Sequence, residues 1–309
     1  MHRKGIALLM TLAFVTAIAA LIAVGGSILE RGYSQTETKA FLVQSNTLLP
    51  SIYAILKQNT GDINDSDTLD ILLSVPLFFE NKRNGMMMDI TFASDAGKVN
   101  INHLVKSNSE VTADPYAPLP LDPAVEGYLE RILTVYNVSD TILLISMVAD
   151  SIDMDTNERF PGSELSLKSP DFTQGHLYDM QHFKQVLDAY KLLTQDFNID
   201  DIPWEHLIGF RNEAIDFNHI EPDTLHFIDP AIDPATLAEI TTKRVATYAS
   251  LDTLPFEPET KQLLEDLGVA FYSPDVIGTM NLLSKTRKTA YTFTYNLANQ
   301  KVSEIAVSN

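Results

Sequence analysis

The side chains most able to do chemistry form one short acidic segment near the middle of the chain. Counted from Asp153, oxygen-bearing side chains fall at positions 1, 3, 5 and 12, which are Asp153, Asp155, Asn157 and Glu164. This is the spacing of calcium loops, in which alternate side chains converge and a distal glutamate completes the coordination shell. Position 6 of such a loop requires a glycine for its sharp turn. Here it is Glu158, so the segment departs from an EF-hand.

Two interpretations of this segment stay open at the level of residues. Hard oxygen ligands and the absence of cysteine favour calcium over zinc or copper. The alternative is an acidic loop that follows a helix and is simply solvated.

Other kinds of catalytic site find little support in the sequence. Paired carboxylates could do general acid–base work, but nothing specifies a substrate pocket for them. The seven histidines form neither an HExxH motif nor a pair four residues apart. There is no Gly-x-Ser-x-Gly elbow and no glycine-rich phosphate loop. We therefore predict no catalytic residue and a role other than that of an enzyme.

The composition excludes several classes of protein. The chain has 309 residues, of which 45% are hydrophobic and 20% charged, which is typical of a folded protein. It has no cysteine, so disulfides and thiolate metal sites are excluded. Its formal net charge is −19. Because binding to nucleic acid depends on cationic side chains, we expect no nucleic-acid partner.

The N-terminal residues form an uncharged segment long enough to cross a membrane. Ile6–Leu29 contains no charged residue, and a helix of that length spans a bilayer core of roughly 30 Å. Arg3 and Lys4 before it predict a cytoplasmic N-terminus, with the remainder on the far side. Three interpretations are open: a cleaved secretory signal, a plain membrane anchor, and a prepilin-type leader cut between Gly5 and Ile6.

The rest of the chain contains two kinds of pattern. Apolar residues at helical spacing continue from residue 41 to residue 56, with a kink near Pro50, and predict further helices: Asp67–Val75, Ala124–Tyr136, Asp140–Asp150, Asp179–Gln195, Ile202–Phe210, Pro234–Ala249 and Pro258–Leu267. Alternating residues between turn signals predict strands: Met86–Ala93, Lys98–Asn102, Val276–Leu283, a strand through Tyr291, Phe293 and Tyr295, and Lys301–Val307. A proline-rich loop is predicted over residues 106–124. Strands on both sides of a helical block predict a helical domain inserted into a sheet domain.

Four motifs lie far apart along the chain. They are Arg3-Lys4-Gly5 with Ile6-Ala7-Leu8-Leu9; Asp95–Leu104, which reads DAGKVNINHL; Asp150–Asp155 with Pro161–Glu164; and Ile215–Ile220, which reads IDFNHI. In this order and spacing they resemble the motifs of the type II secretion minor pseudopilin K family (GspK-like). At the fifth position after the leader, Met10 stands where pilin-like proteins usually have glutamate, which is a further resemblance to that family.

The chain departs from the family pattern at four positions. Ser151 stands where the family has tryptophan, and Asp216, His219 and Ile220 stand where it has asparagine, threonine and alanine. These departures concern the local packing and the metal shell more than the family resemblance.

The resemblance implies an α+β fold with a pilin-like N-terminal transmembrane helix and an antiparallel sheet that carries a large inserted α-helical domain. The corresponding boundaries are a leader at 1–5, a transmembrane helix at 6–29, a pilin-like domain at 30–105 and 269–309, and the inserted domain at 106–268. It also implies calcium in the inserted domain. Transferred by motif position, the ligands would be Asp150, Asp153, Asp155, Glu158 and Glu164.

The function that the resemblance implies is that of a minor pseudopilin. With minor pseudopilins I and J, such a protein caps the pseudopilus tip and helps to initiate its assembly for protein secretion across the outer membrane. It would be processed by prepilin peptidase and methylated at Ile6. It would be held in inner-membrane lipid by one span, with its bulk in the periplasm. The alternatives are a minor pilin of a type IV pilus and a membrane-anchored, metal-dependent periplasmic enzyme.

Overall fold

The computed structural model describes residues 50–308, with gaps at 51–52, 55, 59, 82–85, 107–117, 243, 245 and 284–287. Several predicted segments lie outside the described residues: the leader with its cleavage site at Gly5, the apolar segment Ile6–Leu29, and its extension as far as residue 49. The neighbours of Pro50 also lie outside, as do residues 107–117 of the predicted loop at 106–124. Residues 53, 54 and 56 are helical, as predicted, and residues 57 and 58 are helical as well.

The described chain contains helices and strands in mixed order. The helices are α1 (Ser66–Ser74), α2 (Pro123–Val135), α3 (Thr141–Ile152), α4 (Met180–Thr194), α5 (Trp204–Leu207), α6 (Pro222–Ile228), α7 (Pro234–Thr241) and α8 (Pro258–Asp266). The strands are β1 (Leu77–Asn81), β2 (Met86–Ser94), β3 (Val99–Asn100), β4 (Ile208–Gly209), β5 (Ile215–Asp216), β6 (Val269–Ala270), β7 (Asp275–Leu283), β8 (Lys288–Asn296) and β9 (Lys301–Ser308).

Aspartates begin five of these helices. In each case the aspartate side chain accepts a hydrogen bond from a backbone N–H of the first turn, and these residues are Asp65, Asp122, Asp140, Asp179 and Asp233. A carboxylate at this position satisfies an otherwise unpaired N–H and faces the positive end of the helix dipole. Part of the strong acidity of the chain is therefore structural.

Five strands form one antiparallel sheet in the order β1-β2-β7-β8-β9. Strand β8 shows the predicted alternation, with Tyr291, Phe293 and Tyr295 buried on one face. The predicted strands at 86–93, 276–283 and 301–307 are confirmed. Strand β1 was not predicted. It pairs with β2 and forms one edge of the sheet.

Two clusters of buried apolar residues form the cores of the sheet and of the helical block. One cluster packs α1 and Leu56 on the sheet through residues such as Leu69, Ile90 and Phe293. The other fills the helical block from Val99 to Leu267. The predicted domain boundaries themselves stay predictions.

Three sequence predictions were partly wrong. Lys98–Asn102 forms strand only at Val99–Asn100, because the Asn100 side chain accepts the Asn102 N–H and turns the backbone into a 3-10 helix. Strand β3 pairs in parallel with β4, so the predicted helix Ile202–Phe210 is helical only over α5. The predicted helix Pro234–Ala249 ends at Thr241, after which Arg244 binds residues of other elements.

No helix within the described part of the chain is both long and apolar enough to span a bilayer.

Candidate metal centre

Helix α3 carries Asp150 into the protein interior. All of its residues from Leu143 to Ile152 are buried, and Asp150 in the last turn is fully buried. The C-terminal end of a helix has a partial negative charge, so a buried carboxylate there requires a cationic partner. The partner comes from the segment between α3 and α4, residues 153–179, which we call the acidic loop.

Arg159 supplies this positive charge. Its Nε lies 2.9 Å from Asp150 Oδ1, and its Nη2 donates to Asp153 Oδ2 at 2.7 Å. Nη1 donates to the backbone carbonyl of Leu119 at 2.6 Å, which ties the acidic loop to the segment before α2. The Arg159 side chain is 9% exposed, and those of Asp150 and Asp153 are 0% exposed. The three charges thus form a buried triad.

Glu164 lies near this triad with its own hydrogen bonds. It is 1% exposed, and its Oε1 accepts from the backbone N–H and the hydroxyl of Ser166 at 3.0 and 2.6 Å. Gln174 Nε2 donates to Glu164 Oε2 at 3.3 Å, to the carbonyl of Asp150 at 3.3 Å, and to the carbonyl of Asp155. The Gln174 amide therefore joins three oxygens of the predicted ligand residues.

The remaining predicted ligands lie further toward solvent. Asp155 is partly exposed and accepts from the backbone N–H of Asn157 at 2.8 Å, while Glu158 is exposed. The structure thus buries Asp150, Asp153 and Glu164 in one region of the protein but leaves Glu158 in solvent. Over the described ranges, no three His, Asp or Glu side chains converge closely enough to hold a metal ion.

Burial changes the acidity of both aspartates of the triad. Desolvation raises the pKa of Asp150, although the hydrogen bond from Ser163 and the Arg159 charge oppose it. Desolvation also raises the pKa of Asp153 to about 6. The charge of Arg159 opposes this rise, and the charge of Asp155 adds to it. For both aspartates, burial outweighs the opposing effect of Arg159.

The donor set fits a hard divalent cation in its chemistry. Asp150, Asp153 and Glu164 bring three buried carboxylates against the single buried cation Arg159. Asp150 Oδ1 and Asp153 Oδ1 are buried and have no hydrogen-bond partner among the described atoms, although Arg159 Nε lies 2.9 Å from the first oxygen. Carboxylate, carbonyl and amide oxygens are the ligands that calcium takes.

Comparison with known proteins rests on the fold. No protein-family model matches the chain, and no curated protein matches it. Among solved structures, it is similar to a chain in the crystal structure of the GspK-GspI-GspJ complex from the enterotoxigenic Escherichia coli type 2 secretion system. The TM-score is 0.63 at 15% identity, over 90% of this chain and 99% of that chain. The fold is similar to that of GspK.

The mixed helix and antiparallel-sheet class predicted from the sequence is thereby confirmed, while the N-terminal helix is not shown. The motif DAGKVNINHL, which contributed to the GspK resemblance, contains two asparagines whose side chains hydrogen-bond to distant parts of the helical block. Asn100 Nδ2 donates to the carbonyl of Asn212 at 2.9 Å. Asn102 Nδ2 donates to the carbonyls of Leu177 and Phe210 at 2.9 and 3.0 Å. These side chains satisfy backbone groups of the helical block.

The motif IDFNHI contacts the motif DAGKVNINHL directly. The Asp216 N–H donates to the Ala96 carbonyl at 2.8 Å, and the Glu221 N–H donates to the Gly97 carbonyl at 2.9 Å. A Cβ on Gly97 would lie 2.2 Å from the backbone oxygen of His219. Only glycine permits the two backbones to approach this closely.

Replacing Gly97 with alanine should therefore destabilise the protein by about 1–3 kcal/mol, because the added methyl group forces two hydrogen-bonded backbones apart. The matched control is Gly127→Ala within α2, where the new Cβ meets only the flexible end of Arg131 at 3.4 Å. That change should stabilise the protein by about 0.5–1 kcal/mol. Chemical denaturation of both variants measures the difference, and equal effects would contradict the close-approach argument.

Sequence reasoning missed several residues of the site. Arg159, Ser163 and Gln174 make the hydrogen bonds that position the predicted carboxylates. One signal was available: Arg159 is the only basic residue between Asp150 and Glu164. Its partners could not be read from spacing, because the loop must first fold back on α3.

Proposed function

We propose that this chain is a minor pseudopilin of a type II secretion system, which caps the pseudopilus tip and helps to initiate its assembly. The observation that carries the proposal is the similarity of fold to GspK over 90% of the chain. The four sequence motifs support it, because two of them, far apart in the sequence, contact each other in the structure. Its role in this proposal is structural rather than enzymatic.

The proposal includes a position at the inner membrane. Ile6–Leu29 would remain as a single span after cleavage by prepilin peptidase at Gly5, with a cytoplasmic N-terminus and the described residues in the periplasm. Pilin-like proteins keep a glutamate inside the bilayer because it pairs with the N-terminal ammonium of the preceding subunit. Met10 has no carboxylate that could make this pair. Its absence suits a subunit at the tip, which has no preceding subunit.

The proposed partners are minor pseudopilins I and J. The solved complex that contains the similar chain has GspI and GspJ as its other components. The helical block, which lies between β2 and β7 in sequence, is bulky beside the five-stranded sheet. A block of this size suits the end of a filament better than its interior.

Intact mass of the chain from its native membrane tests the class. We expect loss of residues 1–5 and gain of one methyl group on Ile6, both absent in cells that lack prepilin peptidase. The variant Gly5→Leu should stay uncut, whereas Gly25→Leu, within the apolar segment, should be processed normally. An uncut wild-type chain, or a cut after Leu29, would contradict the proposal.

Deletion of the gene distinguishes type II secretion from the alternatives. We expect secreted proteins to accumulate in the periplasm and the chain to co-purify with two minor pseudopilins. Loss of surface pili with normal secretion would instead indicate a minor pilin of a type IV pilus. Metal-dependent turnover of a substrate, lost in Asp153→Asn, would indicate an enzyme.

We further propose that the acidic loop binds calcium. Asp150, Asp153, Glu164 and Arg159 together carry two uncompensated negative charges when ionised, and burying such charges without a partner costs several kcal/mol. A divalent cation would compensate them. Asp150, Asp153 and Glu164 would hold it, with Asp155 as the candidate nearest to solvent, and its role would be to stabilise the loop.

Chelation should then lower the melting temperature of the protein, because an ion bound only by the folded state stabilises that state by mass action. At saturating calcium, about 100 times its Kd, the stabilisation is about 2.7 kcal/mol, which corresponds to a shift of roughly 4–5 °C for a chain of this length. Scanning calorimetry in calcium and in EGTA measures it. Asp153→Asn should reduce the shift and Asp171→Asn, an exposed residue of the same loop, should preserve it. An equal melting temperature in both buffers would contradict calcium binding.

A further inference from the structure

The sheet and the helical block are joined by a partly buried group of four charged side chains. Helix α1, which packs on the sheet, contributes Asp70. The motif IDFNHI in the helical block contributes Asp216 and His219, and Arg244 follows α7. His219 lies between the two carboxylates: its Nδ1 is 2.9 Å from Asp216 Oδ2, and its Nε2 is 2.9 Å from Asp70 Oδ1.

The other contacts of these carboxylates show that both are acceptors. Asp216 Oδ2 accepts from the backbone N–H of Ser273 at 3.1 Å. Both oxygens of Asp70 accept from Arg244 Nη2, at 3.0 and 2.7 Å. An ionised carboxylate has no proton to donate, so each ring nitrogen of His219 must supply one. A neutral imidazole has only one N–H, whereas the imidazolium has two.

We propose that His219 is a buried imidazolium that fastens helix α1 to the helical block, and that this joint loosens when His219 loses a proton. The proposal does not depend on the secretion role. Asp216 and His219 are two of the positions at which the chain departs from the motif of the family it resembles. In this chain they pair with each other: His219 donates an N–H and Asp216 accepts it.

The charges around His219 balance only when it is protonated. Among the described residues, the charged groups that face it are Asp216 on its own segment, Asp70 on α1, and Arg244, which pairs with Asp70. The phenol of Tyr272 also interacts with Asp216. Two cations meet two anions in this state. Loss of the His219 proton leaves a net charge of −1 in a largely buried place.

The pKa of His219 agrees with this arrangement. Burial alone lowers it, but the hydrogen bonds and charges of Asp216 and Asp70 outweigh burial and raise the pKa above its ordinary value of 6.5. A raised histidine pKa stabilises the folded state fully below the unfolded value, and this stabilisation is lost as pH rises through the folded value. The joint is therefore strongest below about pH 6.5 and weakens above that.

The proton that remains decides which contact breaks. Asp216 is fully buried, so water cannot replace its hydrogen bond from Nδ1. The Asp70 side chain is 39% exposed and keeps Arg244 as a partner. The remaining proton should therefore stay on Nδ1, and the contact between His219 and Asp70 across the joint should be lost.

An NMR titration of the histidine side chains in the full chain, in detergent micelles at fixed free calcium, tests the proposal without a variant. We expect the His219 ring to titrate with a midpoint above 6.5. Asp70→Asn should lower that midpoint, because it removes one negative partner. A midpoint at or below 6.5 would overturn the proposal, as would a midpoint that Asp70→Asn does not move.

The melting temperature of the same protein, followed between pH 6 and pH 8.5, tests the loosening. The melting temperature of the wild type should fall as the pH rises through the titration of His219. His219→Gln, whose only donor is a single amide nitrogen and which does not titrate, should lack this part of the fall and lie near the high-pH value of the wild type. His226→Gln, at an exposed position, is the control and should follow the wild type. Parallel curves for the wild type and His219→Gln would overturn the proposal.

Discussion

Replacing Arg159 with methionine should lower the free energy of unfolding by about 3–5 kcal/mol, because it leaves buried carboxylates without their cation. Asp150 and Asp153 each lie within 2.9 Å of the guanidinium, and both side chains are fully buried. The change also removes the donor to the Leu119 carbonyl. Urea denaturation of the full chain in detergent, with calcium chelated, measures the loss.

Two further variants show whether the loss comes from the buried charges. Lys168→Met removes an exposed cation of the same loop and should change stability by less than about 0.5 kcal/mol. Adding Asp153→Asn to Arg159→Met should restore part of the loss, because one uncompensated charge disappears. If Arg159→Met is as stable as the wild type, the aspartates do not depend on Arg159 and the triad has no energetic role.

Replacing Phe293 with alanine should cost about 3–5 kcal/mol, the usual cost of truncating a buried aromatic side chain. Phe293 on β8 is fully buried and makes edge contacts with Tyr53 and Phe92. Its ring covers Gly278 on the paired strand β7, where a Cβ would lie 2.3 Å from the ring. The exposed neighbour Thr292 is the control, and Thr292→Ala should cost less than about 0.5 kcal/mol.

A double-mutant cycle separates this pairing from simple burial. Gly278→Ala alone should destabilise the protein by about 1–3 kcal/mol, since the ring of Phe293 occupies the space of the new methyl group. In the Phe293→Ala background the same change should cost little or nothing, because the space is free. Additive effects would show that Gly278 and Phe293 act independently, contrary to the register of the sheet.

Local patterns in the sequence predicted the elements whose stability is itself local. Alternation around Phe293 predicted strand β8 because one face of the strand is buried and the other is not. Apolar residues at helical spacing predicted α3 and α4 within two residues at each end. Both signals arise from interactions between neighbours in the chain.

Elements that depend on distant partners were missed or misjudged. Strand β1 exists because β2 offers it an edge. Strand β4 interrupts a predicted helix because β3 pairs with it. Helix α7 stops after Thr241, and Arg244 beyond it reaches Asp70. Local propensity is a weak prior that such tertiary partners override.

The candidate site shows the same division. By itself, the sequence determined which carboxylates belong to one loop and that they suit a hard cation. The tertiary structure decided that Asp150, Asp153 and Glu164 are buried, that Arg159 pairs with the first two, and that Glu158 stays in solvent. It also decided that His219 meets Asp70, 149 residues away in the chain. Charge and hydrogen-bonding capacity are properties of single residues, whereas desolvation and pairing exist only once the folded chain brings distant groups together.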